Sequence, residues 1–550
     1  MKLRVRNIRL PLEYKASDIK ELAAKKLKVR MKDIASCRIQ KKSIDARRKT
    51  VHFNTTVDVE LNVDVCITPE VMELPEITLV EEINISQLVP GNRSMTFAPV
   101  IVGSGPAGLF CALRLAQAGY SPVVIERGQD VDRRMQQVDR FWREGTLNEK
   151  SNTQFGEGGA GTFSDGKLTT RIGDPRIDYV LETFVKYGAD EEIQILKKPH
   201  VGTDVIRQVV KDIRKEIIRL GGEFYFDSCV TDLIVNKGVI NSIIINNETE
   251  MPCSLLVLAV GNSARDVYKM LYRKNISLIP KAFAVGVRVE HPQELIDRIQ
   301  YGDFAGRNRL PVADYHLTYQ DRSTGRSLYT FCMCPGGYVI GAGSQAGQVV
   351  TNGMSYFKRD SGIANSALVV TVHPGDWDHE PLGGVKLQEE LEHKAFLMGG
   401  ENYHAPAQYM TDFLDYRPTE SLEGSLATFA PGVTPANLWK LLPQEVAEVM
   451  RRGLLAWGKR VNGFVHEQAV LTGVETRTSA PLRIEREASM CSVNVEGLYP
   501  CGEGAGYAGG IVSAAVDGLK VAETIITQFK VPATRPEIRS DTITRGSDLR

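Results

Sequence analysis

The sequence predicts an α/β chain. A discontinuous nucleotide-binding domain is interrupted by an inserted mixed α+β domain and preceded by a small α+β domain. Three observations predict this. A glycine turn lies between a short apolar run and an amphipathic segment within residues 98–128. A second glycine-rich turn followed by a helical pattern recurs near residue 505. The first fifty residues differ in charge from all that follows. The chain has 550 residues, 43% hydrophobic and 24% charged, enough for two or three packed domains and too apolar for wholesale disorder.

Residues 1–90 form the first expected unit, a small basic α+β domain. "LRVRNIRLPL" alternates polar and apolar side chains, as a half-buried strand does. "ASDIKELAAKKLKV" follows as a helix capped by Ser17, with Ile19, Leu22, Ala23 and Leu27 on its apolar face. "SCRIQKKSID" and "KTVHFNTTVDVELNVDV" read as two further strands. Residues 1–50 carry 17 Lys and Arg against 5 Asp and Glu, and residues 51–100 carry 1 against 8. The basic half is either a partner surface or a solvated face balanced by the next strands. Formal net charge is zero, so the whole molecule has no global pull on nucleic acid or membrane. Prolines 69, 75 and 90 mark an acidic linker.

The basic N-terminus lacks the apolar core of a secretory signal, and no uncharged apolar run reaches the roughly 18 residues a membrane span needs. Nine scattered cysteines without a framework suit a reducing compartment. A cytoplasmic protein without membrane association is therefore expected. No metal site is expected, because Cys332 and Cys334 form a C-x-C with no second pair at zinc-ligand spacing.

Residues 97–268 are expected to hold the first part of the nucleotide domain, of the Rossmann-like kind. Ile101 and Val102 end a buried strand, and Gly103, Ser104, Gly105, Pro106, Ala107 and Gly108 form G-x-G-x-x-G. The first glycine permits the tight turn, the second lets a pyrophosphate approach the backbone, and the third lets helix pack on strand. The helix "AGLFCALRLAQAG" aims its N–H groups and dipole at that phosphate. Glu126, followed by Arg127, closes the second strand where a carboxylate can accept ribose hydroxyls. Strand, helix, second strand and terminal acid together raise a weak motif to a strong one. The motif by itself suits NAD or FAD.

The tail "EGLYPCGEGAGYAGGIVSAAVDGLKVAETI" carries a strand ending at Gly502 and Glu503 and a helix opening at Gly510, Ile511 and Val512. A middle element, "LLVLAVGNSARD", supplies Ala259 and Gly261. These three segments resemble the FAD-binding domain of the glutathione-reductase-type flavoprotein superfamily. Over nearly its whole length the chain looks like a bacterial FAD-dependent dehydrogenase family of uncharacterised activity. The carriers are "NTQFGEGGAGTFSDGKLTTR", "FAVGVRVEHPQELID", "TFCMCPGGYVIGA", "VVTNGMSY", "ETRTSAPLRI" and the tail. Members carry His where this chain has Asn262, so no imidazole role transfers to that position.

The resemblance implies noncovalent FAD. It places the loop of Gly158, Gly159, Gly161, Thr162, Ser164 and Lys167 along the pyrophosphate and ribityl chain, and the backbone of Val230 at the adenine edge. The last helix would face the flavin pyrimidine, stabilising the reduced anion. "YVIGAGSQAG" (338–347) imitates a second dinucleotide turn but lacks the following helix and acid-ended strand. NAD(P)H is therefore a transient reductant at most, docking at the open ring face.

Residues 269–461 are expected as the inserted substrate domain, 462–530 as the C-terminal part of the FAD domain, and 531–550 as a polar tail. Candidate catalytic residues are Arg477, Lys167 and His291, the cations for their effect on the reduced flavin and the imidazole as an acid–base. The cysteines, including the C-x-C, read as small buried side chains rather than a dithiol. The expected function is a FAD-dependent oxidoreductase, a dehydrogenase or reductase acting on a small molecule. The alternatives are a FAD-containing RNA-binding or tRNA-modifying protein that uses the basic front domain, and a flavin monooxygenase.

Overall fold

The computed structural model describes residues 1–47, 50–80, 88–535 and 544–545. The expected polar tail lies mostly outside them. At the front, four strands pair in the order Ile34–Asp45, His52–Leu61, Lys2–Leu10, Ile77–Leu79. The helix Ala16–Leu27 covers the sheet with Ala23, Ala24 and Leu27 buried. Its start differs from the sequence expectation: the N-cap is Lys15, whose N–H is bonded at 2.9 Å by the Asp18 carboxylate, and Ser17 lies inside the first turn. Asp18 outcompetes the serine because a carboxylate three residues on reaches back to the free N–H.

Five parallel strands form the nucleotide-domain sheet in the order Leu498–Pro500, Leu256–Leu258, Val100–Val102, Val123–Ile125, Glu223–Phe226, and Thr544–Arg545 adds an antiparallel edge. Each of the first four is a three-residue buried run, as a sheet covered on both faces requires. The helices Pro106–Gln117 and Ile511–Gln528 pack side by side on one face. Gly518 permits this, since a Cβ there would stand 2.1 Å from the Ala107 carbonyl oxygen; Gly108 instead seats the first helix on its own turn, where a Cβ would stand 1.9 Å from the Gly103 carbonyl oxygen. The two helix N-termini are thereby drawn to the same side of the sheet although they are about 400 residues apart in sequence.

The inserted region builds a seven-stranded sheet in the order Thr318–Gln320, Ser327–Cys334, Ile363–Val372, Phe283–Pro292, Val470–Glu475, Ala405–Tyr409, Val433–Pro435. The helix Gln444–Arg460 packs on it through Val446, Met450, Leu454 and Trp457. Val470–Glu475 corrects one expectation. Sequence reading put it in the C-terminal part of the FAD domain, yet it pairs with Phe283–Pro292 and Ala405–Tyr409 in the middle of this sheet. All six of its residues are buried, so it reads as a core strand of either domain. The decoy turn is also resolved: Tyr338–Gly341 pairs antiparallel with Thr351–Met354 in a two-stranded ribbon, with no helix after it.

Candidate functional site

A long cleft runs between the nucleotide-domain sheet and the seven-stranded sheet, with about 1800 Å³ of empty space, its open mouth included. Gly103, Gly105, Pro106 and Ala107 line its middle. Gly103 turns with φ +101°, a conformation that favours glycine. Ser104 and Gly108 of the same motif do not line the cleft. Ser104 donates its N–H and hydroxyl to Glu126 Oε2 at 2.9 and 2.7 Å, and Gly108 packs against Gly103.

Glu126 lines the cleft but is already a hub. Its Oε1 accepts from the N–H groups of Gly128 at 2.9 Å and Gly156 at 3.0 Å, so with Ser104 it takes four hydrogen bonds. It ties the first glycine turn to the 156–166 loop as well as facing the space where a ribose would lie. Arg127 stacks on Phe155 at 4.2 Å and pairs with both oxygens of Asp266 at 3.0 Å. Val230 lines the same end.

Within the glycine loop the expectations divide. Gly159, Gly161, Ser164 and Lys167 line the cleft. Gly158 and Thr162 do not: the Thr162 hydroxyl turns inward and donates to the Glu157 carbonyl at 3.2 Å. The loop is held from behind by Arg134, a fully buried residue that sequence reading missed. Its guanidinium donates to the carbonyls of Asn152 (2.7 Å), Glu157 (2.7 Å) and Gly159 (2.9 Å). A Cβ on Gly156 would collide with the Arg134 side chain at 2.4 Å, which explains one glycine of the run. Lys167 donates its ammonium to the Met333 carbonyl, so it fastens the inserted sheet instead of standing free.

At the far end lie Ala259, Gly261, Asn262, Glu503, Gly509, Gly510 and Ile511. Gly502 and Val512 sit just behind; Gly502 donates its N–H to Asp517 at 2.7 Å. Asn262 Nδ2 donates to Glu503 Oε1 at 2.8 Å. Burial pushes the Glu503 carboxyl up to about 7, against the pull of nearby Lys281. Arg477 also lines the cleft, but its guanidinium is committed to Glu392 at 2.8 Å and Ser344 at 2.6 Å. Glu392 binds Arg265 as well, at 2.5 Å. Burial raises the Glu392 carboxyl, and the two guanidiniums overcome it and hold it down to about 2.

Of the three catalytic candidates, His291 is the one the structure takes away from the site. It is fully buried in the inserted domain, does not line the cleft, and donates Nε2–H to the Phe464 carbonyl at 2.8 Å. The strand Phe283–Pro292 is buried along nearly its whole length, so its polar residues serve the core. The inserted domain meets the cleft through other residues, Phe331, Cys332, Asn352, Glu475 and Thr478. The run "ETRTSAPLRI" was the signal for Glu475 and Thr478, and "VVTNGMSY" the signal for Asn352, though neither run by itself said which side chain faces the cleft.

The cleft fits FAD. Gly261, Gly509 and Gly510 line it with no atom within 4 Å of a built Cβ, and a Cβ on Gly105 would meet only Gly159 at 3.8 Å. Bare backbone thus faces open space along the cleft, and the helices Pro106–Gln117 and Ile511–Gln528 both begin on it. Two positive helix ends suit a pyrophosphate at one and an electron-rich ring edge at the other.

The family models agree. Residues 282–478 match the family model for the FAD-dependent protein, C-terminal domain-like. Residues 101–140 match an NAD(P)-binding Rossmann-like domain, and residues 2–60 a domain of unknown function. An uncharacterized protein of Clostridium beijerinckii is 48% identical over 534 residues, covering 97% of this chain and 100% of the relative. Among solved structures, the flavin-dependent brominase Bmp2 aligns at 14% identity and TM-score 0.34 over 79% of this chain and 80% of that chain. Glycine oxidase from Bacillus cereus aligns at 12% identity and TM-score 0.30 over 79% and 99%. The chain belongs, with its Clostridium beijerinckii relative, to a family of FAD-dependent proteins.

Proposed function

We propose that the protein is a FAD-dependent oxidoreductase, a dehydrogenase or reductase, acting on a small molecule held between the flavin end of the cleft and the inserted sheet. FAD when bound would supply the hydride and electron-pair transfer. The reading rests chiefly on one observation: two glycine-started helices open onto a single cleft whose opposite wall is a separate polar sheet edge.

The roles follow from the residues. Gly103, Gly105 and Gly159 give the pyrophosphate a backbone surface, and the N–H groups after Gly105 face it. Glu126, with Arg127 and Val230, bounds the adenosine end. Glu503 and Asn262 bound the ribityl–ring junction. The N–H groups opening the last helix favour negative charge at the ring's pyrimidine edge. Arg477 and Asn352 bring a cation and an amide to the wall where a polar substrate would sit, while the Thr478 hydroxyl is taken up by the Ala284 backbone. Arg477 is held by Glu392, so its charge is positioned but partly neutralised. Glu503, near its midpoint close to pH 7, is a group able to hold or release a proton beside the ring. The superfamily likeness to glutathione-reductase-type flavoproteins, the cytoplasmic location and NAD(P)H as a transient reductant belong to the same reading.

The test is direct. Purified protein should be yellow, and acid or heat should release FAD into solution, since the attachment is noncovalent. Anaerobic mixing with NADH or NADPH should bleach the flavin band. A correctly folded, colourless protein that takes up no added FAD would refute the reading. Oxygen-dependent NAD(P)H consumption with hydroxylated product would convert it to a monooxygenase.

A further inference from the structure

The strand Ser327–Cys334 pairs regularly with Ile363–Val372 from Leu328 opposite Val370 to Phe331 opposite Ala367. The ladder then breaks and resumes with Cys334 opposite Asn365, so three steps on one strand match two on the other. This is a β-bulge, and Cys332 sits in it with φ +42°. On a regular strand, residues two apart share a face but lie roughly 6.6 Å apart along the axis. That is near the upper limit of the Cα separation, about 4.4–6.8 Å, that a disulfide spans. The bulge curls the chain and turns the Cys334 Sγ back to 3.3 Å from the Cys332 carbonyl oxygen, so the two side chains are neighbours.

The bulge is held by two cations from different elements. Arg288 donates to the Cys332 carbonyl at 3.2 Å, and Lys167 donates to the Met333 carbonyl. Arg288 is fully buried and paired to Glu475 at 3.1 Å. Cys332 lines the cleft, half-buried, with Cys334 buried behind it. Cys332 and Glu503 line the same cleft, as do Gly509, Gly510 and Ile511 where the last helix begins. The hydrogen bond from Cys334, opposed by burial and aided by Arg288 and Lys167, holds the Cys332 thiol below its usual range. Glu475 opposes this, and the neighbouring Cys332 together with burial holds Cys334 well above its usual range, with Asp165 adding to the rise. One sulfur is thus thiolate-like and the other keeps its proton, the division a thiol–disulfide couple uses.

We propose that Cys332 and Cys334 form a redox-active dithiol that exchanges an electron pair with the flavin, a role that rests on the FAD-dependent reading above. The Cys332 thiolate and Cys334 thiol lose two electrons and one proton as the S–S bond forms. Oxidised FAD takes up both electrons and that proton and becomes the reduced anion. The reverse direction cleaves the disulfide at the expense of reduced flavin. The substrate class is then a disulfide or another two-electron acceptor that thiols can reduce.

The test uses the FAD-loaded full chain, with C332S, C334S and, as a buried-thiol control, C501S. After mild oxidation and removal of oxidant, peptide mass should show residues 332 and 334 joined, short by two hydrogens, in wild type and C501S. Anaerobic dithionite titration should consume two electron pairs per FAD in those proteins and one pair in C332S and C334S. C334S with its FAD oxidised and Cys332 facing the cleft should show a long-wavelength thiolate–flavin absorbance that C332S lacks. Yellow protein whose two thiols stay alkylatable after oxidation, or which takes up one pair whatever the variant, overturns the dithiol alone. Colourless protein overturns the flavin reading, and this proposal with it.

Discussion

Asn262 donates its side-chain N–H to Glu503 at 2.8 Å, and both residues line the flavin end of the cleft. The contact joins the strand end after Leu256–Leu258 to the one after Leu498–Pro500, neighbours in the parallel sheet. It also gives a carboxyl, which burial pushes up to about 7, one donor that favours its charged form.

The pH dependence of stability follows. A carboxyl raised in the folded state binds more protons folded than unfolded between its ordinary value, 4.5, and about 7. Its contribution therefore favours folding below about 4.5 and is lost as pH rises to about 7, on the order of 2 kcal/mol. Glu290, fully buried against Thr428, is pushed up to about 7 as well and adds a slope of the same sign. Thermal melts of flavin-free protein should show Glu503→Gln flattening part of this slope and gaining stability at pH 8. An unchanged slope would mean that the carboxyl is solvated.

Two glycines separate folding from cofactor binding. Gly518→Ala puts a methyl 2.1 Å from the Ala107 carbonyl oxygen, so the helices must part, at about 1–3 kcal/mol. Gly105→Ala meets only Gly159 at 3.8 Å, and Gly105 has φ −70°, open to any residue. Gly105→Ala should therefore melt near wild type without FAD yet bind FAD at least tenfold more weakly in an equilibrium titration. Gly518→Ala should lose stability with or without cofactor.

Glu392 neutralises both Arg265 and Arg477 in the buried wall behind the cleft. Removing its charge leaves two buried guanidiniums facing each other, at about 3–5 kcal/mol. Glu392→Gln should lower the unfolding free energy read from a denaturant titration by that amount. Arg477→Lys should cost less, because Arg265 still compensates Glu392, while weakening substrate binding. Equal losses for the two variants would show that the three groups do not act as a unit.

The glycine turns, their helices and the acid-ended strand were legible because backbone geometry allows few residue types there: Gly103, Gly105 and Gly108 each answer to a separate steric demand. The C-x-C was not. A bulge leaves the period-two pattern of "SLYTFCMC" intact in sequence, and only the partner strand reveals the extra residue. Arg134 was equally silent, since a buried arginine that satisfies loop carbonyls looks like any charged residue on an amphipathic helix. Val470–Glu475 was misassigned because an all-buried strand carries no mark of which sheet it joins.

His291 supplies the last prediction, by its distance from the chemistry. Burial pushes its imidazole down to about 4 and holds it neutral, against the Phe464 carbonyl to which it donates, with its ring against the Phe464 ring at 4.9 Å. A histidine lowered in the folded state binds fewer protons folded than unfolded between about 4 and its ordinary 6.5. Its contribution to stability is full above 6.5 and is lost as pH falls towards 4, opposite in sign to that of Glu503. His291→Gln keeps a donor without the titration. It should cost about 1–2 kcal/mol at pH 7 through poorer packing and hydrogen bonding, and the penalty should shrink as pH falls below 6.5. FAD reduction rates should be unchanged, because the residue does not line the cleft. Melts and stopped-flow reduction at pH 5 and 7 would check both, and a slowed reduction at unchanged stability would restore His291 to the site.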